Sequence, residues 1–266
     1  MSHTGPTAER VGDYYDKGVD LFPLLWDENL HMGYWTDEDD ASSVAVATER
    51  MTRQLVDRLA PRPGQRILDV GCGLGKPAVA LASAHPVQVV GVTISPDQAQ
   101  RATERVRGTD VAARLTFRHG DGMALPFDDN SFDGAWAFES LLHMEDKPKA
   151  MSELARVLRP GSRLVLADMF HRPQEGMGFE GFMATLGSMD DYRNLLADAG
   201  FGTLEALDIT THTVIPESAF AAMKETMLAR REEMIPITGE EAFNAAIAAD
   251  RTTPPYTYVL VTAQLT

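Results

Sequence analysis

Two polar residues in this sequence are suited to proton transfer, His143 and Asp168. His143 follows an apolar run over residues 132–138, and Asp168 lies at the end of another over 163–169, and both runs are typical of a β-strand. A neutral imidazole, with an unperturbed pKa of about 6.5, can accept a proton from a hydroxyl near neutral pH. We predict that His143 is a general base and that Asp168 orients it, polarises it or binds the substrate. His143 could instead cap a helix that begins near Asp146, and Asp168 could merely end its strand.

The other six of the seven histidines are less well placed for this role. His171 also follows a predicted strand, and His31 lies in the N-terminal segment, so these two remain secondary candidates. His3, His85, His119 and His212 fall in a tail, at a helix end, in a strand end and before a later helical region.

A glycine-rich stretch indicates a binding site next to these residues. A short apolar run that contains Asp69 is followed by Gly71, Gly73 and Gly75, and a helical pattern then begins with Pro77 in its first turn. Glycine permits positive φ and lets a ligand lie against the backbone where strand becomes helix. This spacing is not the Gly-x-Gly-x-x-Gly of dinucleotide-binding sites. The stretch therefore predicts a nucleotide-like ligand without saying which one.

Thr93 follows the next strand, close to where a nucleotide-binding sheet places its ribose contact. The acidic residue expected there is absent, and a hydroxyl could take its place. Gln98 is ambiguous, because Ser95-x-x-Gln98 also has the spacing of a helix-capping box. From the residues alone, ribose contact and capping are equally supported.

The third strand is followed by Asp121, Gly122 and Met123. A carboxylate that accepts from an exocyclic amine, beside an apolar neighbour, is suited to holding an adenine. The alternative is a simple turn in which Asp121 caps the backbone before glycine.

Strand and helix patterns alternate through the middle of the chain, which favours parallel strands with helices on both faces. Ligands bind such sheets at the carboxyl ends of the strands, where the residues named above fall. We predict strands at 65–70, 87–92, 114–119, 132–138, 163–169, 203–211 and 256–264. We predict helices at 43–59, 77–84, 96–107, 147–158, 190–199, 217–234 and 239–249, with two short helices between residues 9 and 26.

Composition narrows the class of protein. The chain has 266 residues, 44% of them hydrophobic, with a net charge of -15. Such an acidic surface disfavours nucleic acid and anionic membranes as partners. One cysteine, Cys72, excludes an internal disulfide, and no cluster of residues has the spacing of metal ligands. We expect a cytoplasmic protein without a metal or a membrane span.

The motifs also occur in a familiar order, LDVGCGLGKPA, GVTISPDQ, GDGMALPF, FDGAWAFESLLHM and LARVLRPGSRLVLAD. In this order and spacing they resemble the class I S-adenosylmethionine-dependent methyltransferases. The N-terminal YYD…W…NLHMGYW pattern is similar to bacterial natural-product methyltransferases, such as the indolocarbazole sugar O-methyltransferase. The GVTISPDQ segment also resembles the tocopherol and cyclopropane-fatty-acid methyltransferases.

The resemblance implies that S-adenosylmethionine is the cofactor. In the tocopherol and cyclopropane relatives a Thr and a Gln contact the ribose, which favours that role for Thr93 and Gln98 over capping. By the same comparison the Asp121–Met123 tip holds the adenine. The other implied cofactor-binding residues are Asp69, Gly71, Gly73 and Gly75, with Glu139 near the methionine end and with His31 and Trp35 in a lid over it.

The resemblance also completes the predicted fold, because the family adds an antiparallel seventh strand and a lid before it. We predict an α/β fold, a Rossmann-like doubly wound seven-stranded sheet with six parallel strands and one antiparallel strand. We expect a single domain over residues 1–266, with a helical cap at about 9–60, a core at about 64–212 and 255–266, and lid helices at about 213–252.

The expected reaction is O-methylation of a bulky secondary metabolite by a monomer or homodimer. The apolar residues expected in the acceptor pocket, each of which could be ordinary core, are Phe22, Trp26, Met169, Phe170, Met177, Phe179, Phe182 and Met183, and we place Trp26, Phe170 and Phe182 nearest the substrate. The sugar methyltransferases carry two adjacent histidines where this chain has Leu142-His143. C- or N-methylation, or a cyclase that binds the cofactor without methylating, are therefore alternatives.

Overall fold

The computed structural model describes residues 6–18, 20, 28–171, 184–250 and 256–266. Its centre is a seven-stranded sheet in the order β3-β2-β1-β4-β5-β7-β6. The strands are β1 (Arg66–Val70), β2 (Gln88–Thr93), β3 (Leu115–His119), β4 (Phe132–Phe138), β5 (Leu158–His171), β6 (Phe201–Asp208) and β7 (Tyr256–Leu265).

The helices alternate with these strands through the first half of the sheet. They are α1 (Ala8–Gly18), α2 (Val44–Leu59), α3 (Lys76–Ala84), α4 (Pro96–Val106), α5 (Lys147–Val157), α6 (Met189–Asp198), α7 (Thr210–Thr213), α8 (Glu217–Ala229), α9 (Arg231–Thr238) and α10 (Glu240–Ala248). None of the helices in the described ranges is long and apolar enough to cross a membrane.

The predicted sheet is confirmed in strand number and direction. Strands β1 to β5 pair in parallel, and β7 pairs antiparallel with both β5 and β6. Six strands therefore run one way and β7 runs the other way. The near-continuous burial of β1, β2 and β4 agrees with a sheet that is covered on both faces.

Two hydrophobic cores lie on opposite faces of the sheet, because successive side chains of a strand alternate between them. In β1, Leu68 belongs to the core beneath α5 and α6, whereas Ile67 belongs to the core beneath α2, α3 and α4. Helices α8 to α10 add a small cluster of their own, formed by Met227, Met234 and Phe243.

Several element boundaries differ from the prediction. The strand predicted at 203–211 is β6, which covers Phe201–Asp208, and its last predicted residues lie in α7. The helix predicted at 217–234 is divided, because residue Arg230 separates α8 from α9. Strand β5 begins at Leu158, before the predicted stop at Arg159-Pro160-Gly161. Leu158 already pairs with Phe132, and the register shifts before Arg163 pairs with Gly134. The Pro160-Gly161 turn is thus an irregularity within the strand.

Candidate active site

A cleft opens at the carboxyl ends of β1 to β4, where β1 lies between β2 and β4. This is the switch point at which open α/β sheets bind ligands. Helix α1 covers one side of it. The residues that line it are Ala8, Val11, Tyr15, Leu30, Val70, Gly71, Gly73, Val92, Thr93, Ile94, Gln98, Gly120, Asp121, Gly122, Met123, Phe138, Glu139, Ser140, His143 and Met144.

The three glycines after β1 do different things. Gly71 has φ +82°, and a side chain there would overlap the Cβ of Ser140. Gly73 lies in the cleft wall beside Leu30. Gly75 also has positive φ, but a Cβ there would lie 2.7 Å from the ring of Phe117, so packing against that ring requires it to be glycine. The structure places Gly71 and Gly73 at the cleft and Gly75 behind it.

The side chains of Thr93 and Gln98 are joined in the cleft wall. The Thr93 hydroxyl donates to Gln98 Oε1 at 2.7 Å, and both residues are buried. Ser95 caps the backbone N–H of Gln98, but the Gln98 side chain does not return to Ser95, so the capping box stays half-formed. Gln98 Nε2 is buried and has no hydrogen-bond partner within the described residues. Since buried polar groups are nearly always satisfied, this donor points to a ligand acceptor in the cleft.

The Asp121 tip, residues 121–123 after β3, forms another part of the cleft wall. Asp121 Oδ1 accepts from the N–H of Met123 at 2.8 Å, so the capped turn exists and uses one carboxylate oxygen. Asp121, Gly122 and Met123 nevertheless all line the cleft. The turn positions the tip and leaves it beside a ligand.

A second recess adjoins the glycines and is formed partly by His31 and Asp69. The His31 ring stacks on Phe138 at 3.8 Å, and burial lowers its pKa to about 3, so the ring is neutral. Burial raises the pKa of Asp69 to about 7. The side chain of Trp136, the neighbour of Asp69 in β4, acts against this shift, and Asp69 is only 2% exposed.

Glu139 presents its carboxylate at the end of β4 from a strained backbone, with φ +46° in the left-handed region. Its Oε1 accepts from the hydroxyl of Tyr258 at 2.6 Å and from the N–H of Met32 at 2.7 Å. Burial raises the pKa of Glu139 to about 8, against the opposing effect of these two donors. Strain of this kind is typical of functional sites, where the surrounding structure holds it in place.

His143 also faces the cleft, from a single 3₁₀ turn over Leu141–His143. A hydrogen bond of 2.8 Å joins its Nε2 to the hydroxyl of Tyr15 in α1. Burial raises the pKa of Tyr15 above its usual range, so the phenol keeps its proton and can donate to Nε2. The helix that begins after Asp146 is capped by the Asp146 side chain itself, which leaves His143 out of that role.

Asp168 lies below the turn and does not line the cleft. It is 1% exposed, and its carboxylate accepts from the N–H of Leu142 and from the hydroxyl of Tyr192, not from His143. Burial raises the pKa of Asp168 to about 7.

Two further predicted site residues lie in the protein core. Trp35 packs with Ala47 and Ala219, and Phe170 packs edge-to-face on Tyr192. Trp26 and Phe182 lie outside the described residues. Tyr15 was not predicted as a site residue, although it belongs to the YYD pattern that the sequence shares with natural-product methyltransferases.

Helix α1 is held over the cleft by polar contacts with the neighbouring loop and helix. The Ser95 hydroxyl donates to Asp16, and Arg101 pairs with Asp20 at 2.7 Å. Gly12 allows α1 to approach the backbone of Ile94, where a Cβ would lie 3.2 Å from the carbonyl oxygen. The position of Tyr15 over His143 follows from this docking.

The raised pKa values of Asp69, Glu139 and Asp168 predict how stability depends on pH. These carboxyls ionise near pH 4 in the unfolded chain and at about 7 to 8 in the folded one. The folded state therefore holds more protons, and the free energy of unfolding falls as pH rises through this window. Urea unfolding of the ligand-free protein should show lower stability at pH 8.5 than at pH 7, a range above the titration of His31.

The variant Glu139→Gln should flatten this dependence. Glu49→Gln, on the exposed side of α2, removes an equal charge and should leave the slope unchanged. A stability that rises from pH 7 to pH 8.5 would contradict the assignment.

Comparisons with known proteins agree with this geometry. A family model described as Methyltransferase domain matches residues 68–166. The chain is 38% identical to the 27-O-demethylrifamycin SV methyltransferase of Amycolatopsis mediterranei, over 98% of both chains. It is 38% identical to the methyltransferase GfsG of Streptomyces halstedii, over 96% of this chain and 94% of that one. Its fold matches the crystal structure of the [4+2]-cyclase SpnF with a TM-score of 0.84 and 30% identity, over 98% of this chain and 97% of that one.

Proposed function

The chain belongs to the class I S-adenosylmethionine-dependent methyltransferases, and we propose that it methylates a hydroxyl of a bulky natural product, with His143 as the general base. One observation carries the proposal beyond the family. An imidazole nitrogen in the cleft, His143 Nε2, is already hydrogen-bonded to a hydroxyl, that of Tyr15. The site is therefore arranged to hold an O–H group against a base.

The cofactor, S-adenosylmethionine, supplies an electrophilic methyl group on a sulfonium. The residues of the cleft fit it, because a buried donor of its wall, Gln98 Nε2, has no hydrogen-bond partner among the described residues. We infer that Gln98 and Thr93 hold the ribose, that Asp121 holds the adenine, and that Asp69 lies at the methionine end. Gly71 leaves room for close approach at the end of β1.

The charge of the cleft supports a cationic ligand. Among the residues named as its lining, Asp121 and Glu139 are acidic and none is lysine or arginine. Negative groups without a competing cation favour a ligand that carries positive charge. Glu139 is suited to the methionine ammonium, and ligand charge would favour its ionised form.

His143 removes the proton that the acceptor hydroxyl loses as it attacks. The Tyr15 hydroxyl now occupies the position at Nε2, and in our proposal the acceptor hydroxyl takes its place there. A neutral ring is required for this step, and before the acceptor binds Tyr15 keeps its proton and can donate it to Nε2 of such a ring. General-base assistance of this kind contributes roughly 10²–10⁴ in rate.

The names of two relatives support methylation of a hydroxyl. The Amycolatopsis enzyme is a 27-O-demethylrifamycin SV methyltransferase, and O-methyltransferase rstn1 of Aspergillus nomiae is 43% identical over 77% of this chain. The test is to supply methyl-labelled cofactor with a panel of polycyclic and macrocyclic alcohols and to locate the label by NMR. A methyl group found on nitrogen or carbon would overturn O-methylation.

Loss of Gln98 should weaken cofactor binding. Gln98→Leu removes both the donor that faces the cleft and the acceptor that holds Thr93, so we expect the Kd for S-adenosylhomocysteine to rise about tenfold, the effect of roughly 1.4 kcal/mol. Isothermal titration calorimetry would measure it. Gln100→Leu, on the exposed side of the same helix, is the matched control and should bind normally. Equal affinity in both variants would remove Gln98 from the ribose site.

A second function is favoured by one comparison, the 30% identity to the [4+2]-cyclase SpnF over nearly the whole of both chains. A cyclase would use the acceptor pocket and leave the cofactor unchanged. Turnover of a polyene acceptor without formation of S-adenosylhomocysteine would select this function over methyl transfer.

A further inference from the structure

The peptide of Leu142, next to His143, is held by two side chains of opposite charge. Its N–H donates to Asp168 Oδ2 at 3.1 Å, and its carbonyl accepts from Lys147 Nζ at 3.4 Å. The same carbonyl accepts from the N–H of Thr185 at 2.8 Å. The turn that carries His143 is thus held by an acidic side chain, Asp168, and by a basic side chain, Lys147.

Both carboxylate oxygens of Asp168 accept hydrogen bonds. Asp168 Oδ1 accepts from the N–H of Met169 at 2.9 Å, and Oδ2 accepts from Tyr192 at 3.0 Å in addition to Leu142. The contacts with Leu142 and Tyr192 are buried, and the contact with Met169 is partly buried. Asp168 therefore acts on the turn and reaches neither His143 nor the lining of the cleft.

Lys147, the basic partner of the turn, lies at an unusual place for a positive charge. Lys147 is the first residue of α5, where a positive charge is disfavoured by the helix dipole. Its ammonium turns back instead, and donates to the Leu142 carbonyl, to the Met144 carbonyl at 3.1 Å and to the Thr185 hydroxyl at 3.3 Å. These acceptors include the carbonyls on both sides of His143, so the lysine spans the residue that we assign as the base.

We propose that Lys147 and Asp168 are positioning residues that hold the Leu141–His143 turn, and with it the imidazole of His143, at the edge of the cleft. The inference rests on the proposed function, in which His143 is the base. Neither residue touches the reacting groups. The charge of Lys147 also lowers the pKa of Asp168, against the larger effect of burial, so each supports the charged form of the other.

The test is the variant Lys147→Met measured in two backgrounds. In the otherwise native enzyme, kcat should fall about tenfold to a hundredfold, since small displacements of a catalytic group have effects of this size, with KM for the cofactor unchanged. In the His143→Ala background the same substitution should have no further effect on residual turnover, because the group that it positions is gone. Lys147→Arg, which keeps a charged donor, should restore part of the loss.

Lys149→Met is the matched control, because Lys149 lies in the same helix, is exposed, and loses the same charge. It should leave kcat unchanged in both backgrounds. Equal losses from Lys147→Met with and without His143 would overturn the proposal, since they would show a general structural role.

Failure of the proposed function is distinguishable from failure of this inference. If His143→Ala retains full turnover, the base assignment is wrong, and the hold on the turn is then judged by amide hydrogen exchange. The Leu142 N–H should exchange faster in Lys147→Met and Asp168→Asn than in Lys149→Met. Unchanged exchange in both variants would overturn the inference.

Discussion

Turnover falls by about 10²–10⁴ when His143 is replaced by alanine, if His143 removes the proton of the acceptor hydroxyl as we propose. Binding of S-adenosylhomocysteine should stay within about twofold, because Thr93, Gln98 and the Asp121 tip are untouched. Radiolabelled methyl transfer measures the first quantity and calorimetry the second. The loss should shrink at alkaline pH, where the solvent begins to ionise the acceptor without help from His143.

The control is His85→Ala. His85 lies at the end of α3, just before β2 begins, whereas the cleft lies at the carboxyl ends of the strands. This variant should keep full activity. Retention of turnover by His143→Ala would exclude His143 as the base and would favour an acceptor that needs no deprotonation, such as an amine or an activated carbon.

Gly71→Ala is expected to abolish cofactor binding and to destabilise the fold. An L-residue at φ +82° costs roughly 1–2 kcal/mol, and the added methyl overlaps Ser140, which costs roughly 1–3 kcal/mol more. The melting temperature should fall by about 5–10 °C. Ser140 cannot easily move away, because its hydroxyl donates to the carbonyl of Val70 at 2.7 Å. Differential scanning calorimetry and titration with S-adenosylhomocysteine measure the two effects.

Gly64 separates strain from overlap, because it has the same φ of +82° and nothing near its Cβ position. Gly64→Ala should lose only the strain energy and should bind the cofactor normally. In the double variant Gly71→Ala with Ser140→Gly, removal of the Ser140 side chain should restore part of the stability lost in Gly71→Ala. Equal melting temperatures for Gly64→Ala and Gly71→Ala would show that contact with Ser140 is unimportant.

Most of the fold followed from local patterns. The alternation of apolar strands and amphipathic helices predicted the parallel sheet, because a strand buried on both faces has a continuous apolar run. The boundaries that failed depend on tertiary pairing. Leu158 is in a strand because Phe132 lies opposite it, and no local property of Arg159-Pro160-Gly161 reveals that partner.

The candidate site was predictable where a residue acts through its own backbone or its place at a strand end. Gly71 and Thr93 fall in the cleft for that reason. Contacts between distant segments were not predictable, because spacing says nothing about them. Tyr15 meets His143 across 128 positions of sequence, and Asp168 meets Leu142 across 26.

The small core of α8 to α10 has a consequence for how this part of the chain can change over evolution. Met227, Met234 and Phe243 pack together apart from the two cores of the sheet, and Arg231 ties α9 to α10 through Glu240 and lies over the ring of Phe243. Mutations within α8 to α10 therefore change the packing of this separate cluster and not that of the two cores of the sheet. These helices can therefore change in sequence, or be exchanged as a block, while the two cores of the sheet keep their packing.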